Sequence, residues 1–266
     1  MDDAARFNRE RWEDLARAGV QFAQPWLDLD AARARERVDP EGMLARVDGT
    51  DVLCLAAGGG QQSAAFALLG ARVTVLDFSA AQLERDRETA ARYGVAVHAV
   101  EGDMRDLSRF ADGAFDLVWQ AHAIPFVPDP RPVFDEVARV LRDGGLYRLS
   151  WTNPFVHGIW DVKWTEAGYP LKHRYVDGGE VPSDDPAWHV KRPDGSVTRV
   201  PGPREWRHGL GRVVNGLIAR GLEIRGLWES ISDAVDPEPG TWAHCMTIAP
   251  PWLTLWAQRR QRPAAR

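Results

Sequence analysis

From Asp51 onward the chain alternates short apolar runs with amphipathic stretches. Apolar runs predict strands over 51–55, 71–76, 96–100, 115–120 and 145–151, and 3.6-residue periodicity predicts helices over 63–69, 80–93 and 133–141. Strands separated by helices pair in parallel through right-handed crossovers. The pattern therefore predicts an α/β fold, a doubly wound, mostly parallel sheet with helices on both faces. Upstream, Phe7, Trp12 and Leu15 recur among charges, which predicts a helix over 6–18 stopped by Gly19; a second is expected over 29–38. From Asn153 to about Arg204 the rhythm breaks into a stretch rich in Pro, Gly and aromatic residues. It holds one hairpin signal, 188–192 and 196–200 around Pro193-Asp194-Gly195. A helix over 205–220, a strand over 222–228 and a last strand beginning at Thr247-Ile248 complete the expectation.

Composition narrows the classes. The 266 residues suffice for one α/β domain with an elaborated cap. A net charge of -5 argues against nucleic acid as the main partner, because phosphate binding needs a concentrated basic face. Basic residues do thicken between Lys191 and Arg225, read here as a solvated face. Cys54 and Cys245 fit neither a disulfide framework nor a zinc pattern, so no metal is expected. No apolar run approaches the length of a membrane span, and the first residues lack a basic-then-apolar leader, so a cytoplasmic protein is expected. Tryptophan is the unusual count, with nine of the twelve after residue 150, which assigns the two halves different tasks.

Chemistry concentrates at one turn. The run Val52 to Leu55 meets Gly58-Gly59-Gly60, and glycines at a strand-to-helix turn let backbone approach a ligand closely. The next apolar run ends in Asp77, the spacing of an acid that grips ribose hydroxyls. Loop and acid together point to a nucleoside-containing cofactor. A dinucleotide fits less well, because Gln62 or Ser63 stands where the third glycine of the fingerprint belongs.

Five segments, taken together, resemble the class I S-adenosylmethionine (SAM)-dependent methyltransferases. They are 52–60, 73–79, Gly102-Asp103-Met104, 115–120 and 136–145, in the family's order and spacing over roughly residues 50 to 151. The resemblance implies a seven-stranded Rossmann-like sheet. Around this core (49–151) it implies an N-terminal helical cap (1–48), an insertion after the fifth strand (152–204) read as a substrate cap, and a C-terminal helix with the last strands (205–266). It places the amino-acid end of SAM over Ala56, Gly58, Gly59, Gly60 and Gln61, and the ribose on Asp77. Phe78 and Met104 would sandwich the adenine, Asp103 would accept from its amine, and the backbone at Trp119 and Gln120 would lie along the methionine portion. The family's loop usually begins with an acid and then a glycine; here Cys54 and Ala56 stand in those places, and Gln61-Gln62 are read as supplying amides instead.

Methyl transfer is an in-line displacement that needs positioning and water exclusion more than acid–base chemistry. His122, just past the fourth strand, is the candidate base. Trp12, Trp151, Trp160 and Trp164, with His157 and His208, are the candidate pocket walls for a small-molecule acceptor. Two alternatives stay open: an RNA methyltransferase, and a SAM-binding protein without transferase activity. Sequence alone leaves the oligomeric state undetermined.

Overall fold

The structure, a computed structural model, describes residues 1–157, 164–171, 173–183, 185–191 and 195–260. Its centre is a seven-stranded sheet. In chain order the strands are β1 (Asp51–Leu55), β2 (Arg72–Asp77), β3 (Val97–Glu101), β4 (Phe115–Gln120), β5 (Leu141–Thr152), β8 (Leu222–Glu229) and β9 (Trp252–Arg259). The spatial order is β3-β2-β1-β4-β5-β9-β8. The first five pair in parallel, and β9 inserts antiparallel between β5 and β8. The mostly parallel doubly wound fold read from the sequence is the one observed.

Both faces of the central strands are covered, which is why they read as continuous apolar runs rather than alternating ones. Successive side chains still point to opposite faces. Leu53 and Leu55 join one core with Phe134, Tyr147 and Leu149, while Val52 and Cys54 join another with Phe66, Trp119 and Trp256. The covering helices are α3 (Gln62–Leu68), α4 (Ala80–Tyr93), α5 (Arg131–Val140) and α6 (Leu210–Ile218), with α2 (Ala31–Val38) against α3. In α5 the buried residues Val133, Phe134, Val137, Ala138 and Val140 form one stripe, and the charges face outward.

The N-terminal helix α1 (Asp3–Ala18) crosses the carboxyl edge of the sheet. It is capped by Asp2, whose carboxylate accepts from the Ala5 amide, and it ends at Gly19 in the left-handed region. Hydrogen bonds to several other segments hold it. Asn8 donates to the carbonyls of Phe126 and Arg204 and accepts from the Arg204 amide; Glu13 accepts from the Ser79 hydroxyl at the start of α4. The hairpin forms as β6 (Ala187–Lys191) and β7 (Val197–Pro201), and Val190 and Val200 pack on Leu15 and Ala16 of α1. Its turn residues Pro193 and Asp194 lie outside the described residues.

Two expectations fail, both in the last third. Residues 205–207 are not helical: Trp206 donates to the Pro125 carbonyl, Arg207 to that of Gly179, and the Val181 amide to the Glu205 carbonyl. Tertiary pairing holds this segment extended, so α6 begins only after Gly209. Thr247 and Ile248 do not open a strand but close the helix α7 (Trp242–Ile248), capped by Thr241. Pro250-Pro251 stops that helix, and β9 starts beyond the prolines, where every amide is free for the ladder.

Candidate active site

The order of β2, β1 and β4 places a topological switch point between β1 and β4, where connections leave to opposite faces and a crevice opens. A cavity of about 650 Å³ occupies it, within the ordinary range for small-molecule sites. One end is formed by the tips of β1, β2 and β4. The other is walled by α1, the hairpin and the start of β9.

At the strand end, Gly58 touches the cavity. A Cβ there would lie 2.7 Å from the Gln82 Cβ and 3.1 Å from an Asp77 carboxylate oxygen, so only glycine fits. Asp77 is 3% exposed. Its carboxylate accepts from the Gly58 amide at 3.1 Å and the Ser79 amide at 2.9 Å, and its residue lines the cavity. Burial pushes its carboxyl up to about 6, against the pull of those amides. Phe78 and Met104 line the same end, as does Asp103. Asp103 is ion-paired with Arg105 at 2.7 Å, and Arg105 reaches on to Asp2 at 2.6 Å, which ties the Gly-Asp-Met turn to the cap of α1. Gln61 lines the cavity and donates to the Gln24 carbonyl at 2.7 Å. Ala56 also lines it, in the left-handed region at φ 47 where the family's glycine would be unstrained.

Gly59 and Gly60 do not line the cavity. Their amides turn away from it, onto the carboxylate of Asp86 in α4, at 3.0 and 3.1 Å. Gly60 sits at φ +73, with a hypothetical Cβ only 2.8 Å from the Arg85 carbonyl. The side chains of Trp119 and Gln120 point away from the cavity into the core, which leaves only their backbone for the contact expected of them. The Trp119 indole donates to the Val38 carbonyl, and the Gln120 amide sits between the Tyr147 hydroxyl and the Met104 sulfur. Ala121 and His122 form the wall at the tip of β4 instead.

At the far end the wall is aromatic. Trp12 meets Phe126 at 5.1 Å and Trp188 at 5.5 Å, both edge-on, and all three line the cavity with Phe22 and Trp252. His122 lies between the two ends, 6.4 Å from the Phe126 ring and 6.2 Å from Trp252. Its Nε2 is 3.1 Å from the Thr152 hydroxyl. Burial lowers its pKa to about 4, so the ring is neutral at physiological pH; the charge of Glu205 opposes that shift. Glu205 also lines the cavity, and its carboxylate is 2.7 Å from Nε2 of His157.

Four expected wall residues stand elsewhere. Trp151 is a core residue of β5, 1% exposed. Trp164 packs on Tyr169 and on His244 of α7. His157 is buried behind Glu205, which it orients, and His208 is held by the carbonyls of Ile124 and Val127. Each is taken up by an internal partner or by the core. Trp160 lies outside the described residues. The sequence reading missed Glu205, Trp188, Trp252 and Asp86. The unexplained absence of an acid at residue 54 was the only signal for the last.

The residues present fit SAM. A buried carboxylate with no cation among its hydrogen-bond partners lines a cavity, beside a glycine that a Cβ would fill and two apolar faces suited to a base. Fold and site together define the class of SAM-dependent methyltransferases. A family model described as a methyltransferase domain matches residues 53–149. The uncharacterized methyltransferase YbaJ of Bacillus subtilis (strain 168) is 37% identical over 193 residues, which cover 71% of this chain and 72% of YbaJ. The demethylmenaquinone methyltransferase of Clavibacter sepedonicus is 41% identical over 109 residues, 41% of this chain and 44% of that protein. Among solved structures, an S-adenosylmethionine-dependent methyltransferase from Mesorhizobium loti superposes with a TM-score of 0.62 at 22% identity, covering 86% of this chain and all of that one. The chain belongs to the class I SAM-dependent methyltransferase family, and SAM is its cofactor. Among the described residues no helix is long and apolar enough to cross a membrane.

Proposed function

We propose that this methyltransferase modifies a small, ring-bearing molecule held between Trp12, Phe126, Trp188 and Trp252. The observation that carries this reading is one continuous cavity running from Asp77 and Gly58 to that aromatic wall. Flat apolar walls favour a planar ring by stacking and edge contacts, and only a few polar groups interrupt them. The name of the Clavibacter relative, which specifies demethylmenaquinone, agrees with a ring-bearing acceptor.

When bound, SAM supplies an electrophilic methyl group on a sulfonium. Asp77 holds the ribose hydroxyls in this reading, Phe78 and Met104 flank the base, and Gly58 admits the amino-acid end. Trp12 and the hairpin exclude water from the acceptor. His122, neutral and placed between the two ends of the cavity, takes the proton from an acceptor hydroxyl as the new bond forms. The negative charge of Glu205 stabilises the imidazolium so produced.

A nucleic-acid acceptor is disfavoured by the fate of the basic run. Arg199 pairs with Asp185, Arg204 with Glu180, Arg212 with Asp177 and Arg220 with Asp135, so four of its eight cations are neutralised locally. The test is a turnover screen with labelled SAM against phenolic, quinol and aromatic-amine acceptors alongside total RNA. Methyl incorporation into the small molecules, abolished by Trp12→Ala with S-adenosylhomocysteine (SAH) binding retained, is expected. Incorporation into RNA alone would refute the reading.

A further inference from the structure

The strand that leads into the glycine loop carries no acid at its loop end. Cys54 stands there, fully buried, and no other carboxylate of β1 points at the loop: Asp51 is occupied by Arg72 and Arg142 at the opposite end. An acid reaches the loop from another element. Asp86 lies on the inward stripe of α4 with Gln82 and Thr89 and is 0% exposed. Its two carboxylate oxygens accept from the amides of Gly59 and Gly60, at 3.0 and 3.1 Å, and from the hydroxyl of Ser63 at the start of α3. Burial pushes its carboxyl up to about 7, and these hydrogen bonds act in the opposite direction. Burial and the nearby charge of Asp86 also push the Cys54 thiol well up, which places thiol and carboxylate in one electrostatic neighbourhood.

The geometry assigns Asp86 the role of a positioning residue for SAM: it anchors the glycine loop from α4. By drawing the Gly59 and Gly60 amides backward it turns the Gly58 side of the loop toward the cavity. It also fixes Ser63, so that loop and α3 move as one unit. No residue of the cofactor-contacting set does this. Gly58 is held separately, by Asp77, so the loop hangs between two carboxylates, one facing the cavity and one behind it. Without Asp86 two amides and a hydroxyl would be buried without partners, and the loop would have to rearrange to satisfy them. Asparagine is not a substitute, because its NH₂ would face an amide that also donates.

The inference rests on SAM binding, and SAH is the probe. Calorimetric titration of SAH should give Asp86→Asn at least a tenfold loss of affinity relative to wild type. Hydrogen exchange should rise in peptides covering 57–63 while those covering β2 and β4 stay protected. The double variant Cys54→Asp/Asp86→Ala, which moves the acid to the first strand, should regain part of the lost affinity; an acid needed only to stabilise α4 would not be rescued from there. Ser63→Ala, a milder change, keeps the question answerable if Asp86→Asn fails to fold, and should weaken SAH several-fold. A folded Asp86→Asn with wild-type affinity would overturn the assignment, as would Ser63→Ala with wild-type affinity and loop protection. Wild-type protein that failed to bind SAH would overturn it together with the cofactor reading.

Discussion

Replacing Asp77 by Asn separates the cost of the site from its use. Asp77 is buried among backbone amides with no cation among its hydrogen-bond partners, and its carboxyl is displaced from an ordinary 3.8 to about 6. That difference corresponds to about 3 kcal/mol. The sign follows from linkage: the native state holds the proton more tightly than the unfolded one. The contribution to stability is therefore fully present below about pH 3.8 and is lost as the pH rises through about 6. At neutral pH the apo fold carries an ionised group that costs it stability. Asn removes that charge but turns one acceptor oxygen into a donor facing the Gly58 or Ser79 amide, at about 1–3 kcal/mol. The two effects nearly cancel, so apo stability at pH 7.5 should change by no more than about 2 kcal/mol. SAH affinity should not be spared. Hydrogen bonds to a charged acceptor contribute about 1.5–3 kcal/mol each, so weakening two ribose contacts should lower affinity by roughly a hundredfold or more. The assay is calorimetric titration of SAH from pH 5 to 8, with thermal unfolding of both proteins over the same range. Wild-type affinity should fall as the pH drops below about 6, and the variant should lose most of that dependence. An Asp77→Asn protein that binds SAH at wild-type affinity would rule out a ribose grip by Asp77.

Gly60→Ala should cost about 3 kcal/mol in a denaturant melt, because a left-handed residue would acquire a Cβ pressed against the Arg85 carbonyl and the Thr89 hydroxyl. Asn8→Ala should cost about 2 kcal/mol by leaving the Arg204 amide and two carbonyls without their partner, and limited proteolysis should then detect α1 released from the crevice. His122→Ala should lower kcat by about a hundredfold or more on a hydroxyl acceptor while SAH still binds. Because His122 loses its proton near pH 4, the wild-type rate should show no limb from this group between pH 5 and 8. A pKa near the ordinary histidine value in that profile would contradict the placement.

The central strands were legible because their signals are local. Apolar runs bounded by glycine and Asp-Phe-Ser turns define β1, β2 and β4, and Asp77, Phe78 and Met104 sit at strand ends that the runs themselves locate. The far wall was not legible, because its residues are placed by tertiary pairing. Glu205 faces the cavity only because 205–207 is held extended by Gly179, Val181 and Pro125, where helical periodicity had pointed to α6. Trp252 arrives through an antiparallel insertion whose preceding prolines disguised the strand. Conversely, Trp151, His157 and His208 carry the right chemistry in the right region, yet each is consumed by an internal partner or by the core. Residue type near a strand end does not say which face a side chain takes.

A structure of the SAH complex would show whether the cofactor and acceptor share this one cavity. The ribose should lie on Asp77, the amino-acid end against Gly58, and the sulfur should face His122 with open space beyond it bounded by Trp12, Trp188 and Trp252. A sulfur sealed from that space by protein on every side would contradict that arrangement.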